Sequence, residues 1–134
     1  MPLFSVDLGQ LSRLRDFVTE SAAALGVDVD AHDDLRVAVD ETVTNIIIHG
    51  YGGAGEVSID LEADGKDLVV RIADAAPPFD PTTRVTQQLK PLDERAKPGG
   101  LGIFMVNKAM DEVRYAREKG KNVLVMIKRN VVAA

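Results

Sequence analysis

The residues best suited to chemistry lie on one predicted helix, where Glu41, Asn45 and His49 are spaced four apart. Side chains four apart on a helix lie above one another on the same face. A carboxylate base one turn from an amide oxygen is a suitable arrangement beside a hard cation, since Mg²⁺ takes oxygen ligands and keeps several waters. The alternative is a solvated helix face. For His49, a buried ring satisfied by backbone groups competes with a role in a pocket.

A second candidate is Asp74, which ends a predicted strand and is followed closely by Pro77 and Pro78. An aspartate at the end of a strand is commonly a turn former through its own side-chain hydrogen bonds. The functional alternative is a buried carboxylate that accepts a hydrogen bond from an exocyclic amine.

A third candidate is a glycine-rich run ahead of a predicted helix, formed by Gly99, Gly100, Leu101 and Gly102 and preceded by Lys97. Such glycines can simply mark a loop, or they can let backbone N–H groups approach phosphates at the positive end of the helix dipole. The P-loop spacing that ends in Gly-Lys-Ser/Thr is absent, as is a dinucleotide Gly-x-Gly-x-x-Gly run after a first strand. The run therefore indicates phosphate without assigning a fold.

The elements that must position these residues follow in the order β-α-α-β-β-lid-α-β-β, which predicts an α+β fold. We expect a mixed, mostly antiparallel sheet with helices on one face and a single domain over residues 1–134, long enough to bury a core. The long proline-containing segment from Ala75 to Gly102 is predicted to hold a lid at about residues 77–100. The predicted strands are Leu3–Leu8, Val57–Leu61, Leu68–Ile72, Val113–Ala116 and Val123–Ile127; the predicted helices are residues 10–25, ended by Gly26, a second capped by Asp30, and Ile103–Met110.

Charge and composition exclude several classes of protein. The net charge of −5 argues against direct nucleic-acid binding. Residues 1–83 carry 5 basic and 16 acidic side chains, whereas residues 84–134 carry 11 basic and 5 acidic ones, which predicts a basic rim for phosphate and an acidic face for a protein partner. The absence of cysteine argues against a disulfide framework or a structural zinc site. With no apolar stretch long enough for a bilayer, we expect a soluble, cytoplasmic protein that does not contact membranes.

Taken together, the order and spacing of these groups resemble the GHKL ATPase superfamily and, within it, the anti-sigma-factor serine kinases of bacterial partner-switching systems. The similarity covers nearly the whole chain and implies the two-layer α/β sandwich of that superfamily. The residues that carry it are Asp40-Glu41-x-x-x-Asn45-x-x-x-His49-x-Tyr51, Pro78-Phe79-Asp80-Pro81 and Gly99-Gly100-Leu101-Gly102-Ile103-Phe104-Met105-Val106, with Met110-Asp111-Glu112-Val113.

The resemblance implies that ATP and Mg²⁺ are the cofactors. Asn45 would hold Mg²⁺ against the nucleotide phosphates, and Asp74 would accept a hydrogen bond from the adenine amino group. Glu41 would be the general base for a serine hydroxyl of a protein substrate. Lys97, with Arg95 as the weaker candidate, would be the lid cation. The glycine-rich run, Gly99, Gly100, Leu101 and Gly102, would surround the phosphates with backbone amides.

Two positions depart from the superfamily pattern. Ala76 stands where the Asp-x-Gly-x-Pro box has its glycine, and its methyl group could narrow the space beside the adenine. Lys121 and Asn122 occupy the region of the last strand where a threonine is common, although Asn122 can still form hydrogen bonds.

The function implied is that of an ATP-dependent serine kinase that is also an anti-sigma factor. It would bind a sigma factor and phosphorylate a serine of its anti-anti-sigma antagonist, acting as a homodimer. The alternative is a catalytically inactive, nucleotide-gated regulator that only binds proteins. Glu41 separates the two, because a protein that only binds nucleotide needs no base.

Overall fold

Five strands form one antiparallel sheet in the computed structural model, which describes residues 2–78 and 100–133. The order across the sheet is β1-β2-β3-β5-β4, and all four neighbouring pairs are antiparallel. The mostly antiparallel sheet predicted from the sequence is therefore confirmed. The strands are β1 (Leu3–Val6), β2 (Gly55–Asp64), β3 (Asp67–Asp74), β4 (Glu112–Glu118) and β5 (Lys121–Lys128).

Three α-helices and one π-helical turn complete the described fold: α1 (Ser12–Ala24), α2 (Val29–Asn45), the π-helical turn (Ile46–Tyr51) and α3 (Gly100–Ala109). The predicted end of α1 is confirmed, since Gly26 has a φ of 80° in the left-handed region. Within residues 2–78 and 100–133, no helix is long and apolar enough to cross a membrane. The predicted lid falls almost entirely on residues outside these ranges.

Two predicted helix starts differ from the structure. Asp28, not Asp30, occupies the N-cap position of α2, and Asp30 lies in the first turn, where a carboxylate interacts favourably with the helix dipole. Helix α3 begins at Gly100, three residues before the predicted start at Ile103. Glycine is a poor helix former in the interior of a helix. In the first turn, however, the backbone N–H groups have no intrahelical partner, and glycine there disturbs no ladder.

The core lies between one face of the sheet and the helices. Strand residues alternate between the two faces, and the alternate positions of β2, β3 and β5 are buried, as the sequence period predicts. Helix α2 contacts this face where the Thr42 hydroxyl lies 3.6 Å from the Met126 sulfur. The fully buried side chains of this core are Leu14, Leu35, Val39, Val43, Ile47, Val57, Ile59, Leu68, Val70, Ile72, Val106 and Met126.

Candidate functional site

Asn45, the last residue of α2, is buried although asparagine side chains are usually exposed. It is 4% exposed, and its Nδ2 atom has no hydrogen-bond partner among the described residues. A buried polar atom left unsatisfied costs about 1–3 kcal/mol. Most buried polar atoms in native proteins are satisfied, and an exception calls for a partner such as an acceptor on a ligand or a water. The amide of Asn45 is therefore the strongest structural indication of a binding site in the described chain.

Glu41 lies one helical turn before Asn45 on the same side of α2 and is half-buried. Side chains at this spacing have Cβ atoms roughly 5–6 Å apart. Glu41 is thus placed beside the buried amide while keeping access to solvent. A carboxylate in that position can accept a proton from a group that approaches from outside.

His49 lies in a π-helical turn, where the sequence spacing predicts a continuing α-helix. The chain changes from α-helix to π-helix directly after Asn45. π-helical turns are rare and occur frequently at functional sites. The His49 side chain is half-buried and its Nε2 atom is enclosed.

Tyr51 fixes the end of the π-helical turn to the ends of β2 and β3. Its hydroxyl donates to the carbonyl oxygen of Glu56 at 2.6 Å and accepts from the backbone N–H of Ala75 at 2.9 Å. Its ring lies directly over Gly55, where an added Cβ would come within 2.3 Å of the ring. Tyr51 therefore holds the turn that follows Asn45 against the residue that follows Asp74.

Asp74 is 6% exposed at the end of β3. Its Oδ1 atom accepts from the backbone N–H of Ala76 at 3.0 Å and from Nδ2 of Asn122 at 2.9 Å. These are the hydrogen bonds that the described residues give to this carboxylate, and both go to Oδ1. Oδ2 is left to accept from a ligand. Oδ1 of Asp74 thus forms the turn, and Oδ2 is the candidate acceptor for a ligand, so the two alternatives from the sequence are compatible.

Ala76 is 1% exposed and packs against the π-helical turn. An ideal Cβ placed on Gly50 would lie 3.0 Å from the Cβ of Ala76. The methyl group that stands in the place of the superfamily glycine therefore lies against the bare backbone of Gly50. The contact joins the segment after Asn45 to the segment after Asp74.

Asn122 lies directly opposite Asp74 in the β3–β5 pairing and is 5% exposed. Besides Asp74, its Nδ2 atom donates to the carbonyl oxygens of Ala76 at 3.2 Å and Pro77 at 3.0 Å. Sequence reasoning recognised that Asn122 can form hydrogen bonds but did not identify these partners. Asn122 thus fixes the start of the segment that leads into the predicted lid.

Helix α3 packs against α2. Gly100, Leu101 and Gly102 form its first turn, whose backbone N–H groups are the ones that a helix leaves without intrahelical partners. Such a terminus can bind anions. The candidates Arg95, Lys97 and Gly99 lie outside the described residues. The structure therefore brings together the segments that follow Asn45 and Asp74, and it packs α3 against α2.

Sequence reasoning missed four residues that hold this arrangement together: Gly50, Tyr51 as a bridge, Tyr115 and Arg117. Tyr115 and Arg117 lie on β4 and donate to Oδ1 of Asn122 at 2.6 and 3.2 Å. The two-residue turn at Lys119-Gly120 was predicted, and it places Arg117 opposite Asn122. That register could have been derived from the turn. The importance of Gly50 could not have been derived from the sequence, because it depends on a contact with Ala76, which lies 26 residues later.

Comparisons with known proteins identify the family of this chain. Residues 4–128 match the histidine kinase-like ATPase domain family. The chain is 32% identical to the serine-protein kinase RsbW of Listeria monocytogenes over 127 residues, which covers 90% of this chain and 77% of the relative. It is 27% identical to the anti-sigma F factor of Clostridium acetobutylicum, covering 84% of this chain and 79% of the relative.

A solved structure shares the fold. The RsbU and RsbW domains of Rv1364c from Mycobacterium tuberculosis align with a TM-score of 0.58 at 20% identity, covering 96% of this chain and 32% of that one. At this identity the likeness concerns the fold alone, and it agrees with the two-layer sandwich that the sequence implied. Since the family match spans residues 4–128, the chain belongs to the histidine kinase-like ATPase domain family.

Proposed function

We propose that this protein is an ATP-dependent serine kinase that acts as an anti-sigma factor in a partner-switching system. The observation that carries the proposal is the pairing of a buried, unsatisfied Asn45 amide with the half-buried Glu41 carboxylate one turn away. The names of the relatives, a serine-protein kinase and an anti-sigma F factor, support it.

The residues present fit a nucleotide with Mg²⁺. Asn45 offers a side-chain amide at the end of α2, and amide oxygen is a ligand type that Mg²⁺ accepts together with phosphate oxygens and water. A bound Mg²⁺ would neutralise charge on the phosphates. Asp74 would receive the adenine amino group at Oδ2, and the first turn of α3, with Gly99 and Lys97, would contact the phosphates.

Glu41 would act as the general base. It would accept the proton of a serine hydroxyl as that oxygen bonds to the terminal phosphorus and the bond to the leaving ADP oxygen breaks. Phosphoryl transfer depends mainly on positioning and charge stabilisation, and general bases typically contribute about 10²–10⁴-fold to rate. Solvent access at Glu41 suits a substrate that is itself a protein.

The partners would be a sigma factor and its anti-anti-sigma antagonist, whose serine receives the phosphate. Phosphorylation would stop the antagonist from displacing the kinase from the sigma factor, which makes the protein a regulator of transcription. We further propose a single cytoplasmic domain that acts as a homodimer, with no direct contact to nucleic acid or membrane.

Nucleotide binding is tested by thermal unfolding in buffer, with ATP, and with ATP and Mg²⁺. A ligand at about a hundred times its Kd adds roughly 2.7 kcal/mol of stability, which raises the midpoint by several degrees in a domain of this size. We expect a Mg²⁺-dependent rise in the wild type and in the control Thr44→Ala, and none in Asn45→Ala. No rise with any nucleotide in the wild type would refute nucleotide binding.

Catalysis is tested by transfer of radiolabelled phosphate from ATP to a purified anti-anti-sigma protein of the same organism. We expect Glu41→Gln to lower transfer by about 10²-fold or more while keeping the thermal shift with nucleotide. The control Glu62→Gln changes an exposed carboxylate on β2 and should transfer normally. If Glu41→Gln transfers as well as the wild type, Glu41 is not the general base. If no transfer occurs with nucleotide bound, the protein is a nucleotide-gated binder instead.

A further inference from the structure

A row of polar side chains runs across three strands behind the candidate base-binding carboxylate. Asp74 on β3, Asn122 on β5 and Arg117 on β4 are directly opposite one another in the sheet register. Directly opposed side chains in neighbouring strands are close enough to interact. Tyr115 lies two residues before Arg117 and therefore projects from the same face of β4. The row thus extends from the candidate site to β4, an edge strand whose residues have no role in the proposed nucleotide binding or catalysis.

The Asn122 amide has one possible orientation in this row. Its Oδ1 atom accepts from the Tyr115 hydroxyl at 2.6 Å and from the Arg117 guanidinium at 3.2 Å. Arginine has donors and no acceptor, so the opposite orientation of the amide would place two donors against each other. The nitrogen of Asn122 consequently faces Asp74, at 2.9 Å from Oδ1.

This orientation decides what Asp74 can recognise. With Oδ1 already holding two donors, the carboxylate presents Oδ2 as an acceptor to a ligand. If the amide turned over, its oxygen would meet the carboxylate. Oδ1 would then lose the Asn122 donor and face an acceptor, so a donor from the ligand would no longer be directed to Oδ2 alone. The choice between an amine and a carbonyl on the base therefore depends on the groups that hold Asn122, which are Tyr115 and Arg117 at Oδ1 and the carbonyl oxygens of Ala76 and Pro77 at Nδ2.

We propose that Tyr115 and Arg117 are positioning residues that set nucleobase selectivity, acting through Asn122 so that Asp74 accepts an exocyclic amine and rejects a carbonyl. Arg117 adds a second restraint, because it also donates to the carbonyl oxygen of Ala76 at 2.8 Å. The inference rests on the proposed function, since it requires a purine nucleotide at Asp74.

The test compares two ligands that differ at the base: ADP, which carries the amine, and inosine diphosphate, which carries a carbonyl in its place. Calorimetry gives Kd for both with the wild type, Tyr115→Phe and the double variant Tyr115→Phe/Arg117→Gln. One hydrogen bond to a charged group predicts a wild-type preference for ADP of about 10- to 100-fold. We expect this preference to fall by about three-fold in Tyr115→Phe and by about ten-fold in the double variant.

A matched control is Arg114→Gln, which removes another exposed arginine from β4. Arg114 projects from the opposite face of the strand and pairs with Glu112 at 2.7 Å, so its loss should leave the ADP preference unchanged. If the residues were only structural, the variants would have a lower melting temperature and would bind both nucleotides more weakly by the same factor. The ratio of the two Kd values would then equal that of the wild type. Tyr115→Phe keeps the ring and its packing, which protects the fold.

The outcomes are separable. This inference is overturned if the wild type binds ADP and the variants keep a preference for ADP within two-fold of the wild-type value. The proposed function is then left intact. A wild type that binds neither ligand overturns the proposed function and the inference with it. A reduced preference in the two variants at normal melting temperature, with Arg114→Gln unchanged, supports the positioning role.

Discussion

Replacement of Gly50 by alanine tests how closely the two halves of the site are packed. Gly50 is not among the described glycines with positive φ, so its backbone accepts alanine, and such a change ordinarily stabilises by about 0.4–1 kcal/mol. Here, however, the new Cβ would lie 3.0 Å from the Cβ of Ala76, which is shorter than ordinary carbon contacts of about 3.5–4.0 Å.

The neighbour cannot easily move away. Ala76 is held by its N–H to Asp74 and by its carbonyl oxygen to Asn122 and Arg117. Overpacking of a rigid contact costs about 1–3 kcal/mol. We therefore expect Gly50→Ala to destabilise the protein by about 1–2 kcal/mol in spite of the gain in backbone entropy.

A double-mutant cycle isolates this contact. In an Ala76→Gly background the methyl group is absent, and Gly50→Ala should become neutral or stabilising, with a coupling energy of about 1–2 kcal/mol. The assay is urea unfolding of all four proteins by circular dichroism, in which changed midpoints at constant m-value report stability. Coupling below about 0.5 kcal/mol, the usual error of additivity, would show that Ala76 moves freely and would refute the packing argument.

Three further predictions concern the same region and the opposite hairpin. Tyr51→Phe removes the hydroxyl that bridges Glu56 and Ala75, and should cost about 1–3 kcal/mol by chemical denaturation; a change under about 0.3 kcal/mol would mean that water replaces the bridge. Gly55→Ala should cost about 3 kcal/mol or more, because the ring of Tyr51 occupies the position of the new Cβ; full stability would contradict this. Lys119 has a φ of 50° beside Gly120 in the β4–β5 turn, so Lys119→Asn should stabilise by about 0.5 kcal/mol, and a lower melting temperature would contradict the turn assignment.

The sequence predicted the elements because each has its own local cause. Gly26 ends α1, the alternation of β2 and β3 gives the buried face, and the turn at Lys119-Gly120 fixes the last hairpin. The start of α3 was missed because glycine propensity says little about a first turn. The π-helical turn was missed because no residue pattern distinguishes it from a continuing α-helix.

The candidate site was predictable in part, where the relation between its residues has a local cause. Glu41 and Asn45 share one helix, so their relation follows from spacing alone. The orphaned amide of Asn45, the Gly50–Ala76 contact and the partners of Asn122 depend on burial and on contacts between distant segments. Sequence spacing carries no information about which oxygen of Asp74 remains available.

The order of strands also bears on the kinetics of folding. The hairpins β2–β3 and β4–β5 each close over two residues and can form locally, whereas the pairing of β3 with β5 joins residues at least 48 positions apart, the separation of Asp74 and Asn122. Contacts of such separation are slow to form, because loop closure is unfavourable before they are made. The end of the candidate site at Asp74 is thus completed only when the two hairpins join. A nucleotide that binds there should slow unfolding strongly and leave the folding rate nearly unchanged.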